Sequence, residues 1–277
     1  MDLDLKTKNT WCPGCGNFGI LAALKRAIAL LEKEGMKRES FVLVAGIGCH
    51  AKIADYVNLN SFYGLHGRTV PVATGIKIAN PNLNVFCMSG DGDSYNEGME
   101  HLIHAAKRNT NITVVIHDNR NFALTVKQFT ATSPKGFSSN SSPYGSIEKP
   151  INPLELMLSA GATFAARGYS VRIEHLANLI KEGIKHKGFS FIEVLQNCVT
   201  WFDETEKYNK GVYEFTNPLL SSKEEALKEM RKWNYEDGGS IPIGVFYQIL
   251  SPCFEEEILK GIENKKSFDV SKVLALK

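Results

Sequence analysis

The sequence predicts an α/β fold, with a mostly parallel sheet carrying helices on both faces. Two observations point there: short apolar runs of strand length alternate with segments of helical periodicity, and most runs empty into turns of Gly, Asp, Asn or Cys. Repeated β-then-α units build a parallel sheet, and ligands then sit beyond the carboxyl ends of its strands. A chain of 277 residues, 43% of them apolar, can bury a full core as one large domain or as one domain with an appended segment.

Asn17 to Glu34 places Phe18, Leu21, Leu24, Ile28 and Leu31 at helical spacing, with Asn17 as the cap. Phe41 to Ala45 reads as a buried strand running into Gly46-Ile47-Gly48-Cys49, and Arg68 to Ala79 as a helix ended by Asn80-Pro81. Asn84 to Met88 is a strand feeding Gly90-Asp91-Gly92-Asp93. Glu97 to Arg108 follows as a helix and Ile112 to His117 as a strand. Asn119 to Lys149 is a polar loop whose Ser133 to Ser146 part is too long for a plain connector and reads as an active-site lid or a partner contact. Leu154 to Ser159, Ile173 to Lys185 and Phe189 to Leu195 supply a short helix, a longer helix and a last core strand. Beyond Trp201 the pattern weakens to a charged helix over Glu224 to Arg231 and an apolar segment, Ile241 to Ile249, that reads as a late strand or a docking segment. The expected organisation is a ligand-binding domain over residues 1–200, with 201–277 as an extension packed on it or on a partner subunit.

A net charge of +2, with acidic residues interleaved among the basic ones, argues against a nucleic-acid or membrane footprint. The longest apolar runs, such as Ile112 to Ile116, fall far short of the ~20 residues that span a bilayer, and the first residues are charged and polar. A cytoplasmic protein is expected. Six cysteines, two of them as Cys-x-x-Cys, then favour metal or redox chemistry over a disulfide framework.

Cys12 and Cys15, in Trp11-Cys12-Pro13-Gly14-Cys15-Gly16, have the spacing that places two thiolates on one zinc or iron–sulfur centre; a redox dithiol or an isolated zinc pair would use the same spacing. Cys49 and Cys198 follow predicted strands and can reach the same sheet edge, whereas Cys87 and Cys253 read as inert buried thiols. Gly90-Asp91-Gly92 lets the backbone approach a diphosphate, and Asp91 can bind the divalent ion that neutralises it. Asn119 lies 28 residues after Asp91, with one helix and one strand between, so both side chains return to one edge. The pair is similar to the thiamine diphosphate signature, and that resemblance implies that Asp91, Asn119 and the carbonyl of Asn121 hold magnesium.

The motifs then resemble one family in order. Trp11-Cys12-Pro13-Gly14-Cys15-Gly16, Gly46-Ile47-Gly48-Cys49 with Lys52, Leu65-His66-Gly67-Arg68, Gly90-Asp91-Gly92-Asp93, Asp118-Asn119, Leu124-Thr125, Leu195-Gln196-Asn197-Cys198 and the late segment Pro242 to Gln248 are similar to the β subunit of 2-oxoacid:ferredoxin oxidoreductases. The resemblance covers nearly the whole chain. It implies a thiamine diphosphate-binding fold, a 4Fe-4S cluster on Cys12, Cys15, Cys49 and Cys198, and thiamine diphosphate lined by Ile47, Gly48, Cys49, His50, His66, Gly92, Asp93, Ala123 and Leu124. Relatives commonly carry Gly at Ala123, His at Tyr63, Ser-Pro-Thr at Thr130-Ala131-Thr132 and a small residue at His50.

What the family does is coenzyme A-dependent oxidative decarboxylation of a 2-oxoacid, with electrons passing through the cluster to ferredoxin and thiamine diphosphate acting as the electron sink. An α subunit supplying the pyrimidine-binding domain is the implied partner. His66 and Lys52 are the candidate catalytic residues. His66 suits proton transfer or a loop anchor, and Lys52, with Arg68, suits a phosphate or substrate carboxylate or a solvated surface. Val126 and Lys127 are the candidate selectivity residues: relatives often carry Gly or Lys where Val126 stands, and Val cannot pair with the distal carboxylate of 2-oxoglutarate. Pyruvate or a small aliphatic 2-oxoacid is therefore the expected substrate, with Lys127 able to reverse the preference. A non-redox thiamine decarboxylase subunit would need no thiolate quartet, and a noncatalytic zinc-binding subunit would need no diphosphate site.

Overall fold

Helix α1 (Asn17–Lys33) buries Ile20, Leu24, Ala27, Ile28 and Leu31 at the spacing of one helical face, and it packs beside α5 (Ile173–Lys185), which does the same with Leu176, Ile180 and Gly183. The computed structural model describes residues 3–215, 221–236 and 239–263. Between these helices and those on the opposite face lies an eight-stranded sheet made of β1 (Phe41–Ala45), β2 (Asn60–Tyr63), β3 (Asn84–Gly90), β4 (Thr113–Asp118), β5 (Phe164–Tyr169), β6 (Ser190–Leu195), β7 (Val212–Glu214) and β8 (Ile241–Gln248). Its order is β2-β1-β3-β4-β6-β5-β8-β7, and only the β5–β8 pairing is antiparallel. The second face carries α2 (Thr69–Ala79), α3 (Met99–Arg108), α4 (Pro153–Ala160) and α7 (Lys223–Met230).

Strand alternation feeds the two cores separately. Phe41, Leu43, Phe86, Met88 and Val115 point toward α1 and α5, while Val44, Val85, Cys87, Val114 and Ile116 point to the other side. The register pairs Ala45 with Met88, Gly90 with His117 and Asp118 with Leu195, so the residues that follow β1, β3, β4 and β6 emerge along one edge. Among the described residues no helix is long and apolar enough to cross a membrane.

Several expectations are corrected. Asn17 is the first helical residue and not the cap, which is Gly16; its side chain is fully buried, with Oδ1 2.7 Å from His117 Nδ1. Phe18 is 41% exposed, because it sits in the first turn against the edge of Trp11 and not over the sheet. The helix expected from Glu97 begins at Met99, and a single π-helical turn, Gly92–Asn96, precedes it. Strand β5 escaped the pattern because Phe164-Ala165-Ala166-Arg167-Gly168-Tyr169 holds Arg, Gly and two Ala, all poor signals for a buried strand. Arg167 is tolerated there because Glu193 stands opposite on β6 and accepts its Nε at 2.9 Å, with both side chains fully buried.

Beyond residue 200, α6 (Thr205–Gly211), β7, α7, β8 and α8 (Phe254–Glu263) follow, and the segment from Ile241 is a strand, hydrogen-bonded to β5. Trp233, Tyr235, Ile241 and Ile243 from this extension pack against Tyr169 and Leu195. Residues 216–220, 237–238 and 264–277 of the expected extension lie outside the described residues.

Candidate active site

The cysteine loop is held at the sheet edge from two sides. Cys15 N–H donates to the Cys12 carbonyl at 3.0 Å, closing a turn in which Gly14 has φ +82°. Gly16 N–H donates to the Asn197 carbonyl at 3.2 Å, Asn197 Nδ2 to the Gly14 carbonyl at 3.2 Å and Gln196 Nε2 to Cys15 Sγ at 3.5 Å, all from the segment after β6. Trp11 Nε1 donates to the Cys49 carbonyl at 2.6 Å and so ties the loop to the end of β1. Cys12, Cys15, Cys49 and Cys198 all border one cavity of about 200 Å³. Cys87 and Cys253 are buried elsewhere.

Burial pushes the Cys15 thiol up to about 11, and the other three cysteines of the cavity add to it by charge repulsion. Burial also raises Cys49, against the pull of Lys52. Such a set ionises readily only when a cation compensates it. No three His, Cys, Asp or Glu side chains among the described residues stand close enough to hold one metal ion. Four thiols around one cavity are the donor type that zinc or an iron–sulfur cluster takes.

A second, polar pocket adjoins the first and is bordered by Ile47, Gly48, His50 and His66 from one side and by Asp91, Gly92, Asn119 and Asn121 from the other. Asp91 is 2% exposed, and burial pushes its carboxyl up to about 7 although the Thr130 hydroxyl and the backbone N–H groups of Gly92 and Asn119 oppose this. Asp118 lies well above the usual carboxylate range through burial and the charge of Asp91. Asn121 Nδ2 donates to the Asn119 carbonyl at 2.8 Å, while Asn121 Oδ1 and Asp118 Oδ2 are buried without a hydrogen-bond partner. Asp91, Asn119 and Asn121 border the pocket together, and their oxygens are the hard donor type suited to a divalent cation.

The motif glycines have a reason that the sequence does not disclose. A Cβ on Gly92 would lie 2.4 Å from the Phe122 ring, and one on Gly90 would lie 2.6 Å from His50 Nδ1. Asp93, expected to line a cofactor, does border the polar pocket, but its carboxylate gathers the surrounding loops: Oδ1 accepts from Gly67 N–H at 2.8 Å, and Oδ2 from the Ser89 hydroxyl at 2.7 Å and Ile47 N–H at 3.2 Å. His50 and His66 stand 3.6 and 3.5 Å from its oxygens. His66 is half-exposed at the pocket wall.

Lys52 borders the thiol cavity with Nζ on Thr10 Oγ1 at 3.0 Å. Arg68 lines neither pocket and meets His101 at 2.9 Å on the surface. Val126 borders the thiol cavity; Lys127 does not, and its ammonium lies over the Phe137 ring at 5.4 Å. Trp11 and Asn197 stand in motifs of the sequence without a role of their own there, and Arg120, buried between Asn119 and Asn121, gives no signal in the sequence.

A family model for the C-terminal TPP-binding domain of thiamine pyrophosphate enzymes matches residues 46–194. The chain is 42% identical to the 2-oxoacid:ferredoxin oxidoreductase subunit beta of Saccharolobus solfataricus, over 95% of this chain and 90% of that one. It is 36% identical to the 2-oxoglutarate synthase subunit KorB of Methanothermobacter marburgensis, over 92% and 88%. A solved structure, 2-oxoglutarate:ferredoxin oxidoreductase from Magnetococcus marinus with 2-oxoglutarate, coenzyme A and succinyl-CoA bound, superposes with a TM-score of 0.90 at 33% identity, covering 99% of this chain and 94% of that chain. The fold and site thus define a thiamine diphosphate-binding subunit of an oxidoreductase. The chain belongs to the β subunits of the 2-oxoacid:ferredoxin oxidoreductases, enzymes that act on 2-oxoacids.

Proposed function

We propose that this subunit, joined to an α partner that supplies the pyrimidine-binding domain, oxidatively decarboxylates a 2-oxoacid. The C1–C2 bond of the acid breaks, carbon dioxide leaves, C2 is joined to the sulfur of coenzyme A as the thiol releases its proton, and two electrons leave singly to ferredoxin. Residues 1–200 form the binding domain in this reading and 201–277 its extension.

The observation that carries the reading is the shared wall of the two cavities. Cys49, Asn119, Ala123 and Leu124 border both. A thiol-lined site and a diphosphate-type site are thereby kept one layer of residues apart, which short-range electron transfer requires. Asp91, Asn119 and the Asn121 carbonyl would hold magnesium, and Cys12, Cys15, Cys49 and Cys198 a 4Fe-4S cluster. Thiamine diphosphate, lined by Ile47, Gly48, Cys49, His50, His66, Gly92, Asp93, Ala123 and Leu124, supplies the electron sink for decarboxylation. Around it, His66 moves a proton at the pocket wall, and Lys52 binds substrate carboxylate. Val126, at the thiol cavity, favours an uncharged substrate tail.

The test is anaerobic preparation of the chain with its partner, followed by iron, sulfide, zinc and magnesium analysis. Iron and acid-labile sulfide in equal amounts are expected, with loss on replacing Cys12, Cys15, Cys49 or Cys198 by Ala and retention on replacing Cys87 or Cys253. Reduction of ferredoxin by a 2-oxoacid and coenzyme A should require both subunits. Zinc in place of iron, or full activity of the isolated chain, would overturn the reading.

A further inference from the structure

Arg120 is fully buried yet borders neither cavity. It stands between Asn119 and Asn121 with φ +59°, a left-handed backbone that a non-glycine residue keeps only where its surroundings impose it. The imposition is visible on every side. Its N–H donates to Asp118 Oδ1 at 3.1 Å, and its carbonyl accepts the Ser133 hydroxyl at 2.6 Å. The guanidinium donates from Nε to the Thr132 carbonyl at 2.7 Å, from Nη1 to Glu204 at 2.7 Å and from Nη2 to the Tyr235 carbonyl at 2.5 Å. The rings of Phe202, Trp233 and Tyr235 lie 5.7 to 5.9 Å from its central carbon.

These partners come from two remote segments. Thr132 belongs to the long loop after β4, and its hydroxyl donates to Asp118 at 2.8 Å and lies 3.4 Å from Asp91. Glu204 and Tyr235 belong to the extension beyond residue 200. One planar fork of donors therefore joins the 119–121 loop to the long loop and to the extension at a single buried point, a task for which a lysine has the charge but not the geometry.

We propose that Arg120 is a positioning residue for the magnesium–diphosphate half of the site, through which the C-terminal extension holds Asn119 and Asn121 toward Asp91. The proposal rests on the reading of Asp91, Asn119 and Asn121 as the metal-holding set. Removing the guanidinium frees the loop to leave its left-handed turn, and both asparagines turn with it. Partners that orient metal ligands typically alter metal affinity by about 10–100-fold when lost. The extension is then a working part of the cofactor site.

The variant Arg120→Met tests this in the reconstituted complex. Glu204 keeps Lys207 at 2.8 Å and the Tyr208 hydroxyl at 2.9 Å, so the substitution does not strand that carboxylate. Equilibrium dialysis should show magnesium half-saturation, at fixed thiamine diphosphate, rising at least tenfold, with excess magnesium restoring cofactor binding and iron per chain unchanged. Glu204→Gln, which retains the two carbonyl anchors, should give a smaller shift in the same direction and decides the matter if Arg120→Met does not fold. An unchanged magnesium requirement in the folded variant, or a loss that excess magnesium does not restore, overturns the proposal. Asp91→Asn is the control: if it binds magnesium and cofactor like wild type, the metal-site reading itself fails; if it abolishes binding while Arg120→Met does not, only the positioning role fails.

Discussion

Replacing Asp93 by Asn keeps the shape of the side chain and removes its function as a loop clamp. Oδ1 accepts from Gly67 N–H, and Oδ2 from Ser89 and Ile47 N–H. An amide has one oxygen, and its NH₂ must take the other place. With the oxygen toward Ser89, the NH₂ faces Gly67 N–H; turned over, it faces Ile47 N–H. Either orientation leaves one backbone donor unsatisfied, at about 1–3 kcal/mol, and strips the charge from the bonds that remain, at about 1 kcal/mol each. A local loss of about 3–5 kcal/mol follows. Hydrogen exchange read by mass spectrometry should therefore speed up about a hundredfold or more in the peptides carrying residues 46–50 and 64–69, and far less in the core strands. Thiamine diphosphate should bind more weakly in the same variant. Unchanged protection in those two peptides would refute the clamp, and a uniform rise across the chain would show that Asp93 supports global stability instead.

Four further outcomes are expected. Val126→Lys should raise the ratio of kcat/KM for 2-oxoglutarate over pyruvate about tenfold or more in the reconstituted enzyme; an unchanged ratio removes Val126 as a selector. Arg167→Met strands the buried Glu193 carboxylate and should lower unfolding stability by about 3–5 kcal/mol, whereas adding Glu193→Leu should recover most of it; equal losses in the single and double variants would contradict this. Burial pushes His186 down to about 4 from 6.5, so the unfolded chain binds more protons in that window and stability should fall as pH drops through it, by at most about 3 kcal/mol, with His186→Gln flattening the slope in urea titrations. Gly92→Ala forces its new methyl into the Phe122 ring at about 1–3 kcal/mol of overpacking, and the accompanying loss of thiamine diphosphate binding should be partly reversed by Phe122→Leu.

Periodicity made most of the fold legible, because β1, β3, β4 and β6 are apolar runs buried on both faces and their helices carry strong one-sided patterns. Strands β2 and β5 fail that test for identifiable reasons. Asn60-Ser61-Phe62-Tyr63 is an exposed edge with no core face to advertise, and β5 hides an arginine whose partner, Glu193, lies 26 residues away on the neighbouring strand. A local pattern cannot show a charge that is neutralised across a sheet. The same limit explains Arg120, whose anchors at Glu204 and Tyr235 lie 84 and 115 residues further on.

At the site itself, the motif glycines do more than the sequence expects of them. The sequence suggests Gly90 and Gly92 as openings for a diphosphate, yet the space left by their missing Cβ atoms is filled from within by His50 and Phe122, which themselves border the polar pocket. The rings can lie back against the backbone only because the glycines let them. A side chain at either position would drive a ring forward into the pocket, so the glycines keep the ligand volume open indirectly. Asp93 follows the same logic, since it touches the pocket chiefly by fixing Ile47 and Gly67 in the loops that wall it. Motif residues that look like ligand contacts in a sequence can thus act one layer behind the ligand, where spacing alone does not distinguish the two roles and packing does.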